Sequence, residues 1–369
     1  MKILIVGGGP VGLSAAIHAR LAGMDAHVFD RQAPPIDKAC GEGLMPGGVQ
    51  ALQAIGVEIP EGQRFNGIRY LQEDLPQTHP AEGLFGHGHG LGIRRLALHQ
   101  ALIHRAESVG VELHWKRSVK GMEHGLLKTE TGDVRGDFIL GADGLYSSCQ
   151  KWANLHQQPG KSNRYGLRRH YQITPWSDFV EVYWNDGCEA YVTPTGPNTI
   201  GVALLWSATQ HRPTAQDPLA PFPRLRERLA GVDYASHSRG AGPLARRPKS
   251  VQQGQLLLIG DAAGYVDALT GEGLALGFRQ AEAAVQCIAN GRPATYRRAH
   301  KALVRRPFFL TRSLCWVAAH PRLRQRLIRG LARDPQLFSN ALDLMEGHKG
   351  WLSLGLWKSL RLLGRMTRS

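Results

Sequence analysis

The first thirty-one residues constrain this 369-residue chain more than any other stretch. Ile3, Leu4, Ile5 and Val6 form a short aliphatic run of the kind that fills a strand buried on both faces. It passes into Gly7-Gly8-Gly9-Pro10-Val11-Gly12, then into an apolar run with helical spacing (Leu13, Ala16, Ile17, Ala19). A second strand, His27-Val28-Phe29, ends on the acid Asp30, with Arg31 following. Each glycine has a job in such a unit. Gly7 turns tightly out of the strand, Gly9 lets backbone approach a pyrophosphate, and Gly12 lets helix and strand pack closely. Phosphates then face the free N–H groups and positive end of the helix, and Asp30 is placed to accept hydrogen bonds from a ribose.

Two later stretches share this texture. Residues 137–148 form a buried strand (Phe138–Gly141) opening into Ala142-Asp143-Gly144 and a Ser-rich helix start. Residues 255–290 repeat the theme. Leu256–Ile259 is a strand, Gly260-Asp261 is its end, and Gly271-Glu272-Gly273-Leu274 precedes a long small-residue helix that stops at Asn290-Gly291. Between the first two units, Cys40-Gly41-Glu42-Gly43 is too glycine-rich for a strand interior and suits backbone lying against a flat ligand. Arg94-Arg95 begin a helix over 96–109. Cations there oppose the helix dipole, so Arg95 is expected to face an anion.

Residues 164–208 read differently. Four segments (164–173, 178–185, 189–194 and 199–206) alternate apolar and polar residues, as antiparallel strands with one wet face do. This sheet is where a substrate is expected, and Arg168, Arg169, His170, Tyr183 and Tyr191 are its orienting or acid–base candidates. Of these, His170, Arg168 and Tyr191 are the catalytic choices. His170, following two arginines, is a candidate neutral base, and a strand-edge histidine facing water is the alternative. The domain organisation expected is a discontinuous nucleotide-binding domain (1–163 and 240–300, with part of 60–95 on the substrate side), an inserted antiparallel sheet (164–239), and a helical C-terminus (301–369).

Five scattered cysteines without a C-x-x-C pair argue for reduced thiols and against a disulfide framework. A strand starting at residue 2 leaves no room for a signal peptide, so a cytoplasmic protein is expected. His87 and His89 lack further nearby ligands, and no metal is expected. The net charge of +15 lies mostly in the C-terminal fifth, where 17 Lys and Arg from Arg292 onward face three acids. Leucines and tryptophans among these arginines (Leu314, Trp316, Leu323, Leu327, then Trp351, Leu352, Trp357, Leu360) suit an amphipathic region. Such a region can lie on an anionic membrane surface, dock an acidic carrier protein, or simply cover the sheet. Nucleic acid is not expected as a partner.

The opening fingerprint ending in Asp30, Leu140–Ser148 (LGADGLYSS) and Leu258–Leu274 (LIGDAAGYVDALTGEGL) together resemble the FAD-dependent oxidoreductases of the p-hydroxybenzoate hydroxylase fold. That superfamily includes aromatic monooxygenases, flavin halogenases and geranylgeranyl reductases. The resemblance covers about residues 1–290. It implies an α/β fold: a Rossmann-like FAD domain with an inserted antiparallel substrate sheet, and a tightly but non-covalently bound FAD. By this likeness Asp261 meets the ribitol or pyrophosphate, Arg95 the pyrophosphate, and Gly273 and Leu274 offer N–H groups to the flavin ring. Asp143 and Gly144 match a motif tied to FAD and to NAD(P)H. The cofactor-binding set is therefore Gly7, Gly9, Pro10, Val11, Gly12, Asp30, Arg31, Cys40, Gly41, Glu42, Gly43, Arg95, Asp143, Gly144, Gly260, Asp261, Gly271, Glu272, Gly273 and Leu274. The segments around Gly41-Glu42-Gly43 and Gly271-Glu272-Gly273 look closer to the geranylgeranyl reductase branch, and the halogenase W-x-W-x-I-P signature is absent. No second G-x-G-x-x-G occurs, so NAD(P)H is expected to visit transiently. The resemblance implies a monooxygenase using O2 on a hydrophobic aromatic, polyketide-like or lipid-like substrate of secondary metabolism. A prenyl C=C reductase is the alternative, and a non-catalytic FAD-binding protein a further one.

Overall fold

A computed structural model describes residues 1–59, 62–75, 78–157, 164–209 and 217–347. The leucines and tryptophans beyond residue 347 lie outside them. A six-stranded sheet carries the nucleotide-binding unit. At its centre, β1 (Lys2–Val6) pairs in parallel with β2 (Asp25–Phe29) on one side and with Phe138–Gly141 on the other. Leu256–Leu258 extends it in parallel beyond Phe138–Gly141, and Glu112–His114 beyond β2. The three motif-bearing strands are thus neighbours, and their glycine-rich exits share one sheet end. Parallel strands covered on both faces must be apolar throughout, and Ile3, Leu4, Ile5, Leu140 and Leu257 have no exposed surface.

Helix α1 (Pro10–Leu21) packs between the sheet and the helix Gly273–Ala289. Small residues make this possible. A Cβ on Gly277 would lie 2.5 Å from Cγ2 of Val11, and one on Gly12 only 1.9 Å from the Gly7 carbonyl oxygen.

A seven-stranded sheet forms the second layer system. It orders Arg239–Ala241, Arg164–Tyr171, Thr199–Ser207, Cys188–Gly196, Phe179–Asn185, Gly67–Gln72 and Ala81–Leu84 side by side. The four strands expected from 164 to 207 pair antiparallel, with Arg164–Tyr171 beside Thr199–Ser207 rather than beside the next strand in sequence. Two strands from residues 60–95 join the sheet, and Gly67–Gln72 pairs with Phe179–Asn185 in parallel. No hairpin constrains two strands a hundred residues apart in sequence.

One expectation fails. Phe179–Asn185 has no wet face; six of its seven residues are buried. Two different covers account for this. On one face Ile68, Tyr70, Val182 and Trp184 pack with Ile328, Leu331, Phe338 and Leu342 of the C-terminal helices. On the other, Tyr183, Val192 and Leu204 pack with Leu219, Phe222, Leu225 and Leu229. The basic C-terminus therefore supplies core, through helices Tyr296–Ala318, Pro321–Arg333 and Pro335–Glu346. Even its charge is used inside. Arg324, 1% exposed, donates to Asp74 Oδ2 at 2.8 Å, Asp186 Oδ1 at 2.6 Å and the Asn185 carbonyl at 3.1 Å.

Candidate functional site: a flavin-binding cleft

The site is built where the glycine exits converge. Gly7 adopts φ +109°, and a Cβ there would meet the Ala142 carbonyl oxygen at 2.5 Å. The turn is thus pinned between two parallel strands by backbone alone. Gly9 is open by contrast: the only side-chain atom near a Cβ placed on it would be Nη2 of Arg95, at 3.9 Å. Asp30 holds the turn from below, accepting from Gly8 N at 2.8 Å through Oδ2 and from Gln32 N at 2.9 Å through Oδ1. Each oxygen keeps a further lone pair for a ribose hydroxyl. Arg31 is exposed beside it.

His99, fully buried, completes the turn's support. It lies one helical turn after Arg95, on the same side of Arg95–Ser108. Its Nδ1 accepts from Ile36 N at 3.1 Å, so Nε2 carries the proton and donates to the Gly8 carbonyl at 2.6 Å. Burial lowers its pKa, and the positive charge of Arg95 works the same way. His99 went unnoticed in the sequence, although its four-residue spacing from Arg95 was a usable signal.

The cleft is cationic. Nε of Arg95 and Nε of Arg94 are buried without a hydrogen-bond partner among the described residues. Lys38 has its pKa lowered first by desolvation and then by Arg95, with Asp30 and Asp261 opposing. Asp261, at the end of Leu256–Leu258, is pushed up by burial while Arg95 and Lys38 pull it down. Arg95, beside the Gly9 opening, thus lies within electrostatic range of both Lys38 and Asp261. A buried guanidinium N–H left without a partner is costly, and a diphosphate oxygen is a group that would satisfy it.

The flat part of the cleft is backbone. Gly41, Gly271 and Gly273 are exposed, and Gly271 adopts φ +69°. Gly273 opens the 17-residue helix Gly273–Ala289, whose first N–H groups, including that of Leu274, have no partner within the helix. Beneath them Glu272 is buried and raised to about 7 by desolvation, with Arg279 Nη2 at 3.5 Å opposing. Gly260 is buried at φ +61° and its N–H donates to Gln280 at 2.7 Å, so it shapes the strand exit from inside. Pro10 and Val11 start α1. The Cys40 thiol is raised by burial, which keeps it protonated and unreactive.

Glu42 plays a part that sequence alone did not suggest. It sits at φ +59° with its side chain buried. Oε1 accepts from Arg95 N at 2.8 Å, and Oε2 is hydrogen-bonded to Nε2 of His170. Arg168, which can only donate, reaches His170 Nδ1 at 3.2 Å. Nδ1 is therefore the acceptor, and Nε2 gives its proton to Glu42. Arg168 also pairs with Asp37 and donates to the Lys38 carbonyl at 3.1 Å. His170 has no exposed surface, so the water-facing alternative is excluded. Arg169 turns away to Ser238 Oγ, at 2.7 Å, and to the Tyr234 ring. His170 and Arg168 thus tie the second sheet to the loop 37–43 and to the start of the Arg95 helix.

Tyr191 makes a parallel tie, donating to the Leu269 carbonyl at 3.0 Å. Arg164 makes the strongest one: Nη2 meets Glu189 Oε2 at 2.7 Å and Nε meets Asp267 Oδ2 at 2.8 Å, both carboxylates being 2% exposed. Asp143 is used locally through one oxygen, while Oδ1 is buried without a partner among the described residues. Its Oδ2 accepts from Ser148 N at 2.6 Å and Cys149 N at 3.0 Å, capping a short helix, and Gly144 beside it adopts φ +79°. Gly43 joins a three-stranded sheet, paired with Gly92.

Glycine turn, an arginine with an unsatisfied buried Nε and an exposed helix start together define an FAD-dependent oxidoreductase of Rossmann-like architecture. The chain belongs to the FAD-binding-domain family, whose model matches residues 1–292. It is similar to digeranylgeranylglycerophospholipid reductase 1 of Methanothermobacter thermautotrophicus, at 25% identity over 76% of this chain and 74% of that one. It is also similar to rifampicin monooxygenase of Streptomyces venezuelae, at 22% identity over 76% of this chain and 62% of that one. Among solved structures, a flavoprotein/dehydrogenase from Cytophaga hutchinsonii shares the fold over the whole of both chains, with TM-score 0.84 and 15% identity.

Bound FAD supplies the electron-transfer chemistry. The residues of this chain do the rest. Arg95, Lys38 and the Gly9 turn would hold its diphosphate, Asp30 would hold the ribose, and the positive end of the Gly273 helix would favour negative charge on the ring. The seven-stranded sheet is tied to the loops 37–43 and 267–272 beside the cleft by Arg164, Arg168 and Tyr191.

Proposed function

We propose that this protein is a flavin-dependent monooxygenase that inserts one atom of O2 into a hydrophobic, aromatic or polyketide-like substrate, with NAD(P)H as a transient electron donor. The observation that carries the proposal is the fastening of the second sheet to the loops of the cleft. An aromatic-rich sheet, its strand Phe179–Asn185 covered on both faces, is fastened to the loops 37–43 and 267–272 by buried charge pairs. Dry enclosure is what an oxygen-transferring flavin needs to avoid wasting its oxidant on water. Similarity to a rifampicin monooxygenase supports the same reading.

A hydrophobic substrate also fits the outside of the molecule. Arg305, Phe309, Arg312 and Trp316 are all exposed on one face of Tyr296–Ala318, with Phe309 and Trp316 57% and 58% open. Two aromatic side chains alternating with two arginines suit contact with an anionic lipid surface. No helix among the described residues is long and apolar enough to cross a membrane.

The second reading is reduction of an isolated C=C bond. Glu272 favours it: an acid near neutrality beside the flavin-facing helix start could protonate the second carbon. Similarity to a digeranylgeranylglycerophospholipid reductase points the same way. Turnover of long-chain phenols and prenyl lipids under 18O2, against anaerobic turnover with a chemical reductant, separates the two. One 18O atom per product molecule supports oxygenation. Anaerobic saturation without label replaces it with reduction, and absence of both with FAD retained removes the enzymatic reading.

A further inference from the structure

We propose that His27, His114 and Glu112 form a binding site for one zinc ion, or a zinc-like divalent cation, at the edge of the six-stranded sheet. His27 lies in β2, and Glu112 and His114 lie in the strand Glu112–His114 that pairs with it in parallel. These side chains play no part in the flavin cleft.

The geometry points to a metal by its distances. His27 Nδ1 and His114 Nε2 are 3.3 Å apart, His27 Nδ1 and Glu112 Oε2 3.2 Å, and His114 Nε2 and Glu112 Oε2 3.7 Å. Zinc with bonds of about 2.0–2.1 Å in a tetrahedron has ligand atoms about 3.3–3.4 Å apart. The triangle of donor atoms matches one face of that tetrahedron. The imidazole planes lie 6° from parallel with centroids 5.5 Å apart. With nitrogens only 3.3 Å apart, such rings lie edge to edge, so an ion between them can sit in both planes at once.

The surroundings fit as well. The Nε2 of His27 faces Asp25 Oδ2 at 2.9 Å. A carboxylate on the far nitrogen fixes the tautomer that leaves Nδ1 bare, the usual support of a zinc-bound histidine. His27 is buried and anchors the site, whereas the Glu112 side chain is 58% exposed and gives the ion a way in. Two neutral imidazoles and a carboxylate suit zinc better than magnesium or calcium, which prefer oxygen donors. The fourth position opens to solvent.

The site also adjoins the cofactor's ribose holder. His114 stacks on Phe29, and its carbonyl accepts from Asp30 N at 3.1 Å. An ion here would cross-link the last strand of the sheet to β2 just before Asp30.

The test is zinc titration of FAD-loaded, chelator-treated protein by calorimetry, with cobalt(II) absorption reporting coordination geometry. One ion per chain with tetrahedral cobalt bands is expected, along with a raised thermal midpoint. Glu112→Gln, exposed and harmless to folding, and His114→Gln should both abolish that binding. Asp25→Asn should weaken it about 10- to 100-fold. His87→Gln, in the glycine-rich turn, should leave it unchanged. Equal zinc affinity in wild type and Glu112→Gln, or no binding above that of the double variant His27→Gln/His114→Gln, would show a purely hydrogen-bonded cluster and overturn the proposal.

Discussion

Arg164→Met is the most informative single change. Arg164 holds two carboxylates, Glu189 and Asp267, each 2% exposed, through bonds of 2.7 and 2.8 Å. Methionine keeps the volume but leaves both acids buried without their cation. Breaking a buried ion pair from one side costs about 3–5 kcal/mol. The pH dependence distinguishes this cause from lost packing. Burial already pushes the Glu189 carboxyl up, and Arg164 is the main influence holding it down. Without Arg164 the folded protein binds a proton more readily than the unfolded chain. Its stability then rises as pH falls toward the ordinary carboxylate range, so the deficit at pH 7 shrinks by pH 5. Urea midpoints followed by tryptophan fluorescence at both pH values measure this. Asp267 Oδ1 also accepts from Leu269 N at 3.1 Å, so the loop before Gly273 should loosen and FAD affinity should fall as well. The triple variant R164M/E189Q/D267N should recover much of the stability, since it removes the charges together. A deficit below about 1 kcal/mol, or one equal at the two pH values, would refute the argument.

Gly12→Ala places a Cβ 1.9 Å from the Gly7 carbonyl oxygen and should cost about 1–3 kcal/mol through overpacking, weakening FAD binding about 10- to 100-fold by fluorescence titration. Gly47→Ala, with nothing within 4 Å, should leave FAD binding unchanged. Glu272 stays protonated to about pH 7 when folded but ionises from the ordinary range near 4.5 when unfolded, so the protein loses stability between those values. Glu272→Gln should flatten that slope in urea titrations across the same window. Phe309→Ser/Trp316→Ser should reduce sedimentation with anionic vesicles several-fold while leaving FAD content unchanged.

Much of the cofactor site was legible because its signals are local. A buried strand, a glycine turn and a small-residue helix each leave a pattern within about a dozen residues, and three such units dictate a parallel sheet with its exits on one side. Arg95 was legible too, since a cation at a helix start needs an anion. The partners of the second sheet were not. His170 reaches Glu42 across 128 positions, Arg164 reaches Asp267 across 103, and His27 meets His114 across 87. Nothing in the spacing of such residues announces their contact.

The sequence by itself determined the strand–turn–helix units of the nucleotide-binding domain, its flavin and the places where backbone must come close. Only the tertiary structure decided that the basic C-terminus is core for the second sheet, that Glu42 and His170 join two sheets, and that three metal-type ligands meet at a sheet edge. The physical reason is one of range. Backbone conformation and periodic burial are set by neighbours along the chain, whereas the pairing of buried charges is set by which distant segments are left facing each other once the cores have formed.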